Sequence, residues 1–390
     1  MPRLLHLADV HLGARHPDLG PAASRLRERQ AAAFRRAIDA GIEARVDVAL
    51  ICGDLFDSNA QGRRVVEAAA LELRRLTEQS IRVVLIPGIH DSWEGGSIYR
   101  VFDLRLMAGL SEGSDLLTVL TPQHPEVVYR DLDLIVHGRV PTTRRVARSP
   151  LADFTVLADD RARWRVGMIH GALTAGSDDG QDDVRFTAEE IAASGLDYLA
   201  IGHGHGWQTG RAGSTTWTSP GAVEGLQPGD ETAGRVAIVE LAERSGRKSV
   251  EVREAVVGRT RFSTVTLDAA DAVAPGALVA RLRTLADPDV VLDVVVRGVA
   301  ERWLDIDQAA LSAELADAFL AVRLRDESQL APPAATDALP GTLERTFQDA
   351  LLEHASAAER AGDSATARDA RAAYQLGRRL LDDPQQVGLI

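Results

Sequence analysis

An α/β sandwich followed by a small α+β unit is the fold class this sequence predicts, on three observations. Five short runs, LLHLADVH, DVALICGD, RVVLIPGIHD, RVGMIHG and DYLAIGHGH, are rich in aliphatic and β-branched residues and close at Gly or a turn, as buried strands do. Segments of helical period lie between the early runs, the alternation an α/β sandwich requires. From about residue 259 the pattern changes to a β-α-β-α-β order.

The first strand ends in Asp9-x-His11, two residues that share one face of extended chain. A helix over 24–45 follows, with Leu26, Phe34, Ala37 and Ile38 on one side. The second strand closes on Gly53-Asp54-x-x-Asp57 and leads into a helix over 62–79; the third closes on Gly88-Ile89-His90-Asp91, before a helix starting near Gly96. The fourth and fifth strands end at His170-Gly171 and Gly202-His203-x-His205. TTWTSPGAVE, GRVAIVELA and SVEVREAVV read as consecutive strands completing the second sheet. RFSTVTLD, a helix over 275–286, VVLDVVVRG, a helix near 307–318 and FLAVRLRD make the α+β unit. SQLAPPAATDALPG, rich in Pro and Ala, reads as a linker. Two amphipathic helices close the chain, one with Leu343, Phe347, Ala350 and Leu351 on a face, the other with Tyr374, Leu376, Leu380 and Leu381. The expected domains are 1–258, 259–326, a linker over 327–340 and a helical tail over 341–390.

In an open α/β sheet the ligand crevice lies beyond the carboxyl ends of the strands, so Asp and His at that end of five strands should converge. Carboxylates and imidazoles without thiolate suit Mn, Fe or Zn. Two-metal sites hold their ions roughly 3.5–4 Å apart and activate water for in-line attack on phosphorus. No G-x-S-x-G elbow supports a Ser-His-Asp hydrolase, and Gly202-His203-Gly204 lacks the third glycine of a dinucleotide loop. His6, His16, His124, His137 and His354 fall outside the motifs and read as core or surface residues.

The order and content of these motifs resemble the calcineurin-like metallophosphoesterase superfamily. LLHLADVHLG, ARVDVALICGDLFDS and DYLAIGHGHGWQ are similar to the nuclease subunit of the Mre11–Rad50 and SbcCD complexes, a resemblance covering about the first two-thirds of the chain. It implies a four-layer β-sandwich flanked by helices, two divalent ions, most simply Mn, and hydrolysis of DNA phosphodiesters. By motif, one ion falls to Asp9, His11, Asp54 and His205, the second to Asp54, position 89, His170 and His203, with Asp54 as bridge. His90 is then the non-ligand histidine that protonates the leaving oxygen, Asp91 orients it, and Asp57 supports the site from behind. The pattern breaks at Ile89, where the family has Asn and this chain has a side chain with no donor atom. The resemblance further implies a capping domain after residue 259, a homodimer contact through the helices after the second and third motifs, and a C-terminal region that docks on a Rad50- or SbcC-like coiled-coil ATPase. Two other readings stand beside the nuclease: a scaffold subunit with weakened catalysis, for which Ile89 speaks, and a soluble nucleotide phosphodiesterase.

Composition bounds these readings. At 390 residues, 45% hydrophobic and 26% charged, the chain is ordinary for a soluble globular protein with room for two domains. An aspartate stands where a signal peptide would need apolar residues, and no run reaches transmembrane length, so a cytoplasmic protein is expected. The single Cys52 reads as an inert core thiol. A formal charge of −13 argues against a generally basic nucleic-acid binder, leaving local arginine clusters, Arg144, Arg145 and Arg148 or Arg161, Arg163 and Arg165, as candidate DNA contacts. Asp178, Asp179, Asp182 and Asp183 read as a solvated loop that would repel DNA.

Overall fold

The computed structural model describes residues 1–144, 148–156, 162–174, 184–269, 275–300, 306–330 and 340–382. Arg145, Arg161, the acidic residues 178–183 and most of the expected linker lie outside the described residues, as do the side chains of Leu380 and Leu381. The chain divides into two compact units, Met1–Ser263 with Asp287–Val291 and Phe319–Ala321, and Thr264–Ala286 with Leu292–Ala318 and Val322–Ile390.

In the first unit the Arg3–Leu7, Val48–Cys52, Arg82–Ile86 and Leu117–Val119 strands run parallel. Their residues alternate between two cores, because successive side chains in a strand point to opposite faces. Leu4, Val48, Leu50 and Val84 pack with Tyr198, Val166 and Met168 of a second six-stranded sheet. Leu5, Leu7, Ala49 and Ile51 pack outward with Phe34, Ala37 and Ile38 of the Ala23–Glu43 helix and with Val66, Ala69 and Leu73 of the Arg63–Thr77 helix. Strands buried on both faces read as unbroken apolar runs, which is why their termini stood out in the sequence. The second sheet is parallel through Leu134–Gly138, Trp164–His170, Tyr198–Gly202 and Thr215–Ser219, and its outer face is covered by Leu151, Ile191 and Leu196. The result is the expected four-layer sandwich.

One expectation is corrected. GRVAIVELA and SVEVREAVV do not complete the second sheet. Arg235–Arg244 and Arg247–Val256 form a hairpin that adds antiparallel to Arg3–Leu7, on the free edge of the first sheet. Val236 and Ile238 face the outer core while Ala237 and Val239 face the inner one, so the alternation that marked a strand was correct but could not name its sheet. The helix expected near Gly96 is two short ones, Ile98–Val101 and Leu104–Met107, the latter capped by the Asp103 side chain.

His6 stays a core residue: Nδ1 lies 2.8 Å from the Tyr198 hydroxyl across the inner core, and burial lowers its pKa to about 3, so it is neutral. Further along, Arg261–Asp268, Asp287–Arg297 and Phe319–Asp326 form a three-stranded sheet with the helices Pro275–Arg283 and Gln308–Glu314 between them in sequence. Asp293 and Arg323 pair bidentately there at 2.5 and 2.7 Å. The Leu343–Arg360 and Ser364–Asp382 helices pack on each other, with the Phe347 and Tyr374 rings 6.2 Å apart, while Leu343 is 73% exposed.

Candidate metal centre

All five motifs meet at the carboxyl ends of the parallel strands. The loops after the first two strands stay paired beyond the sheet: His11 N–H donates to the Asp54 carbonyl at 2.9 Å and Leu12 N–H to that of Leu55 at 3.0 Å. From the second sheet, His203 N–H donates to the Asp9 carboxylate at 2.8 Å. The sheets close tightly at this edge. A Cβ on Gly202 would lie 1.8 Å from the Cys52 carbonyl oxygen, and one on Gly88 2.2 Å from Asp54 Oδ1, so both motifs need glycine. Asp9, His11, Asp54 and His203 all carry positive φ, 51°, 50°, 49° and 99°, in a region that costs about 1–3 kcal/mol per non-glycine residue and clusters at functional sites.

Asp54 lies at the centre. Its Oδ1 accepts from His90 N–H at 2.8 Å, while Oδ2 lies 3.1 Å from His170 Nε2 and 3.8 Å from His11 Nε2. Both imidazole nitrogens are buried without a hydrogen-bond partner. The opposite nitrogens are engaged: His170 Nδ1 is 3.0 Å from the Cys52 carbonyl and His11 Nδ1 is 3.4 Å from Asp57 Oδ1. Nδ1 therefore donates in each, and Nε2 presents its lone pair toward a carboxylate oxygen. Two electron-rich atoms at such distances need positive charge between them, which a cation supplies. Asp9, His11 and His205 offer ligand atoms within 4.8 Å of one another, as do Asp9, Asp54 and His170. Asp9 thus stands in both groups, where the sequence reading had it in one. The His203 ring is 5.2 Å from that of His170 and lines the cleft.

The electrostatics agree with a cation site. Burial pushes the Asp54 carboxyl up, but the His170, His11 and His90 imidazoles together hold it well below the usual carboxylate range. Burial opposes charge on His170 as well, yet Asp54 and Asp9 raise its pKa to about 10, so a proton takes the cation's place when none is bound. His205 is raised too: Asp230, Asp9 and Asp54 outweigh the lowering effect of burial.

Around this core, His90 is exposed, its ring held by the Asp57 carbonyl 3.1 Å from Nδ1 and edge-on to His11. Asp91, expected to orient that ring, instead holds the turn beneath it. Its Oδ1 accepts from Gly88 N–H at 2.7 Å, and its Oδ2 from Phe56 N–H at 3.1 Å and from the Tyr99 hydroxyl. Burial and the nearby Asp54 raise its pKa to about 6. His11, Asp57 and His90 also bring ligand atoms within 4.8 Å, a third grouping at the mouth. Ile89 is half-buried and contributes no donor. Asp54, His90, His203 and His205 share a cavity of about 310 Å³ with Gly206, Gln227, Gly229 and Asp230. The last three were not singled out from the sequence, and neither was Tyr99: QPGDET reads as an ordinary turn, and one aromatic in GGSIYR as core.

Residues 2–207 match the family model described as Calcineurin-like phosphoesterase. The chain belongs to this family. Among its relatives, an uncharacterized metallophosphoesterase, YhaO, of Bacillus subtilis is 28% identical over 208 residues, 52% of this chain and 48% of that protein. The DNA double-strand break repair protein Mre11 of Aeropyrum pernix is 28% identical over 250 residues, 62% of this chain and 58% of its own. Mre11 of Sulfurisphaera tokodaii is 37% identical over 172 residues, 44% and 41%. The chain spans about half the length of the curated relatives it matches. As a calcineurin-like phosphoesterase it carries His and Asp clusters able to hold two divalent ions. Among the described residues no helix is long and apolar enough to cross a membrane.

Proposed function

We propose that this phosphoesterase is a metal-dependent DNA nuclease that hydrolyses phosphodiester bonds as the nuclease subunit of an SbcCD- or Mre11–Rad50-like repair assembly. The observation that carries this reading is the similarity of the catalytic half to proteins named as Mre11 DNA double-strand break repair proteins. In this reading Asp9, His11, Asp54 and His205 hold one ion and Asp54, His170 and His203 the other, with manganese as the expected metal. Bound there, such a pair supplies Lewis-acid charge stabilisation and a nucleophile at neutral pH.

The chain's own residues do the rest. Asp57 and the Cys52 carbonyl fix the ring orientation of His11 and His170. The exposed His90 imidazole is anchored through Nδ1, and its Nε2 would protonate the departing sugar oxygen. Asp91 holds the 88–91 turn that carries it. The unit after residue 259 would act as a cap that selects DNA ends, and the two C-terminal helices would dock on a coiled-coil ATPase. Exposed Leu71, Val101 and Leu106 fit a homodimer contact.

Ile89 favours a second reading, a subunit with a depleted second ion site that serves mainly to bring the ATPase to DNA. A nucleotide phosphodiesterase is the third. Cleavage of linear duplex DNA and of a small aryl phosphodiester, each with manganese across a salt series, separates them. The nuclease reading expects duplex cleavage whose apparent affinity falls steeply with salt, because phosphate contacts release counterions. Equal turnover of both substrates, insensitive to salt, would overturn it in favour of the small-molecule enzyme; duplex binding without cleavage would favour the scaffold.

A further inference from the structure

We infer that Asp230 is a positioning residue that fixes the ring of His205 and, with the same carboxylate, builds the wall of the cleft that substrate meets. The inference rests on the reading above that His205 holds an ion. The Asp230 side chain is 5% exposed, and its Oδ2 lies 3.3 Å from His205 Nδ1 while accepting from Leu226 N–H at 3.0 Å and Gln227 N–H at 3.1 Å. An ionised carboxylate only accepts, so the proton of a neutral His205 is placed on Nδ1 and Nε2 is left as ligand nitrogen.

His11 and His170 are set in the same way by the Asp57 carboxylate and the Cys52 carbonyl. Asp230 differs in what else it holds. It closes the 226–230 loop from both directions, since its own N–H donates to the Gln227 carbonyl at 3.3 Å. Gln227 and Gly229 of that loop line the cavity beside His90, His203 and His205. One side chain therefore joins the substrate-facing loop to a candidate metal ligand: displacing the loop displaces the group that orients the imidazole. A turn aspartate needed only for loop closure would satisfy the two N–H groups and need not face His205.

The test uses the full-length chain with Asp230→Asn and Asp230→Ala. In the metal-free protein, at a pH high enough for the His205 ring to be neutral, 15N shifts report its tautomer; wild type is expected as the Nδ1–H form, and Asp230→Ala as a mixture of both. In manganese titrations both variants are expected to weaken the tighter site, by roughly 10–100-fold for Ala and about tenfold for Asn, which keeps an acceptor for the loop but drops the charge. An unchanged His205 tautomer in Asp230→Ala, or wild-type manganese affinity in Asp230→Asn, would overturn the proposal. If wild type itself took up no manganese, the metal reading would fail, and the tautomer measurement would still decide the role of Asp230.

Discussion

His170 Nε2 stands 3.1 Å from Asp54 Oδ2, while the opposite ring nitrogen is held at 3.0 Å by the Cys52 carbonyl. Cys52, Gly53 and Asp54 are consecutive, so one strand end both orients the imidazole and supplies the carboxylate it faces. The arrangement is stable only with positive charge between the two atoms, and the molecule's pH behaviour and metal chemistry follow from what supplies it.

Without metal the charge is a proton. His170 rises from 6.5 to about 10 in the fold, because Asp54 and Asp9 outweigh the lowering effect of burial. The folded state then binds the proton more tightly than the unfolded state, so its contribution to stability is whole below about pH 6.5 and is lost as the pH rises through about 10. The melting temperature of metal-free wild type should fall across that window more steeply than that of His170→Gln. A cation has to displace this proton, so metal affinity should rise with pH and binding should release protons to the buffer, measurable by calorimetry in two buffers. Parallel melting curves for the two proteins would remove the pair from this role.

Tyr99→Phe removes the hydroxyl that donates to the buried Asp91 carboxylate. A hydrogen bond to a charged group is worth about 1.5–3 kcal/mol, and denaturant unfolding should show a loss of that size. Because Asp91 holds the turn whose His90 N–H donates to Asp54, metal affinity should fall as well. A stability loss with wild-type metal binding would confine Asp91 to the fold.

Ile89→Asn places a donor side chain where this chain has none. The second ion should bind roughly tenfold tighter, the order that one supporting side chain carries at a metal site. Manganese titration reads this directly; an unchanged second affinity would show that a half-buried side chain at 89 does not reach the ions.

Leu71, Val101 and Leu106 are 57%, 65% and 56% exposed on the Arg63–Thr77, Ile98–Val101 and Leu104–Met107 helices. If they form the proposed homodimer contact, Val101→Glu with Leu106→Glu should convert a dimer to a monomer in light scattering without changing metal content. A wild-type protein that is already monomeric would contradict the contact.

Much of the centre was legible because strand-end motifs in a parallel sheet point to one edge: Asp9, His11, Asp54, His170, His203 and His205 come from four runs and meet in one place. What escaped was what local pattern does not carry. The alternation in GRVAIVELA marks a strand but not the sheet it joins, and the free edge beside Arg3–Leu7 decided that. Asp230 acts on His205, 25 residues away, and Tyr99 on Asp91 across a turn, and neither turn nor helix composition distinguishes them from ordinary residues. Asp91 was carried over from the family motif as a partner of the His90 ring, whereas burial turns it into the turn beneath.

The measurement to make first pairs manganese counting with cleavage of a linear DNA duplex, for wild type, Asp54→Asn and His90→Ala. Asp54→Asn should lose bound metal and cleavage together, while His90→Ala should keep the wild-type metal content and cleave roughly 10²–10⁴-fold more slowly, as expected for loss of a general acid. Wild-type metal content and cleavage in Asp54→Asn would contradict a centre built on that carboxylate.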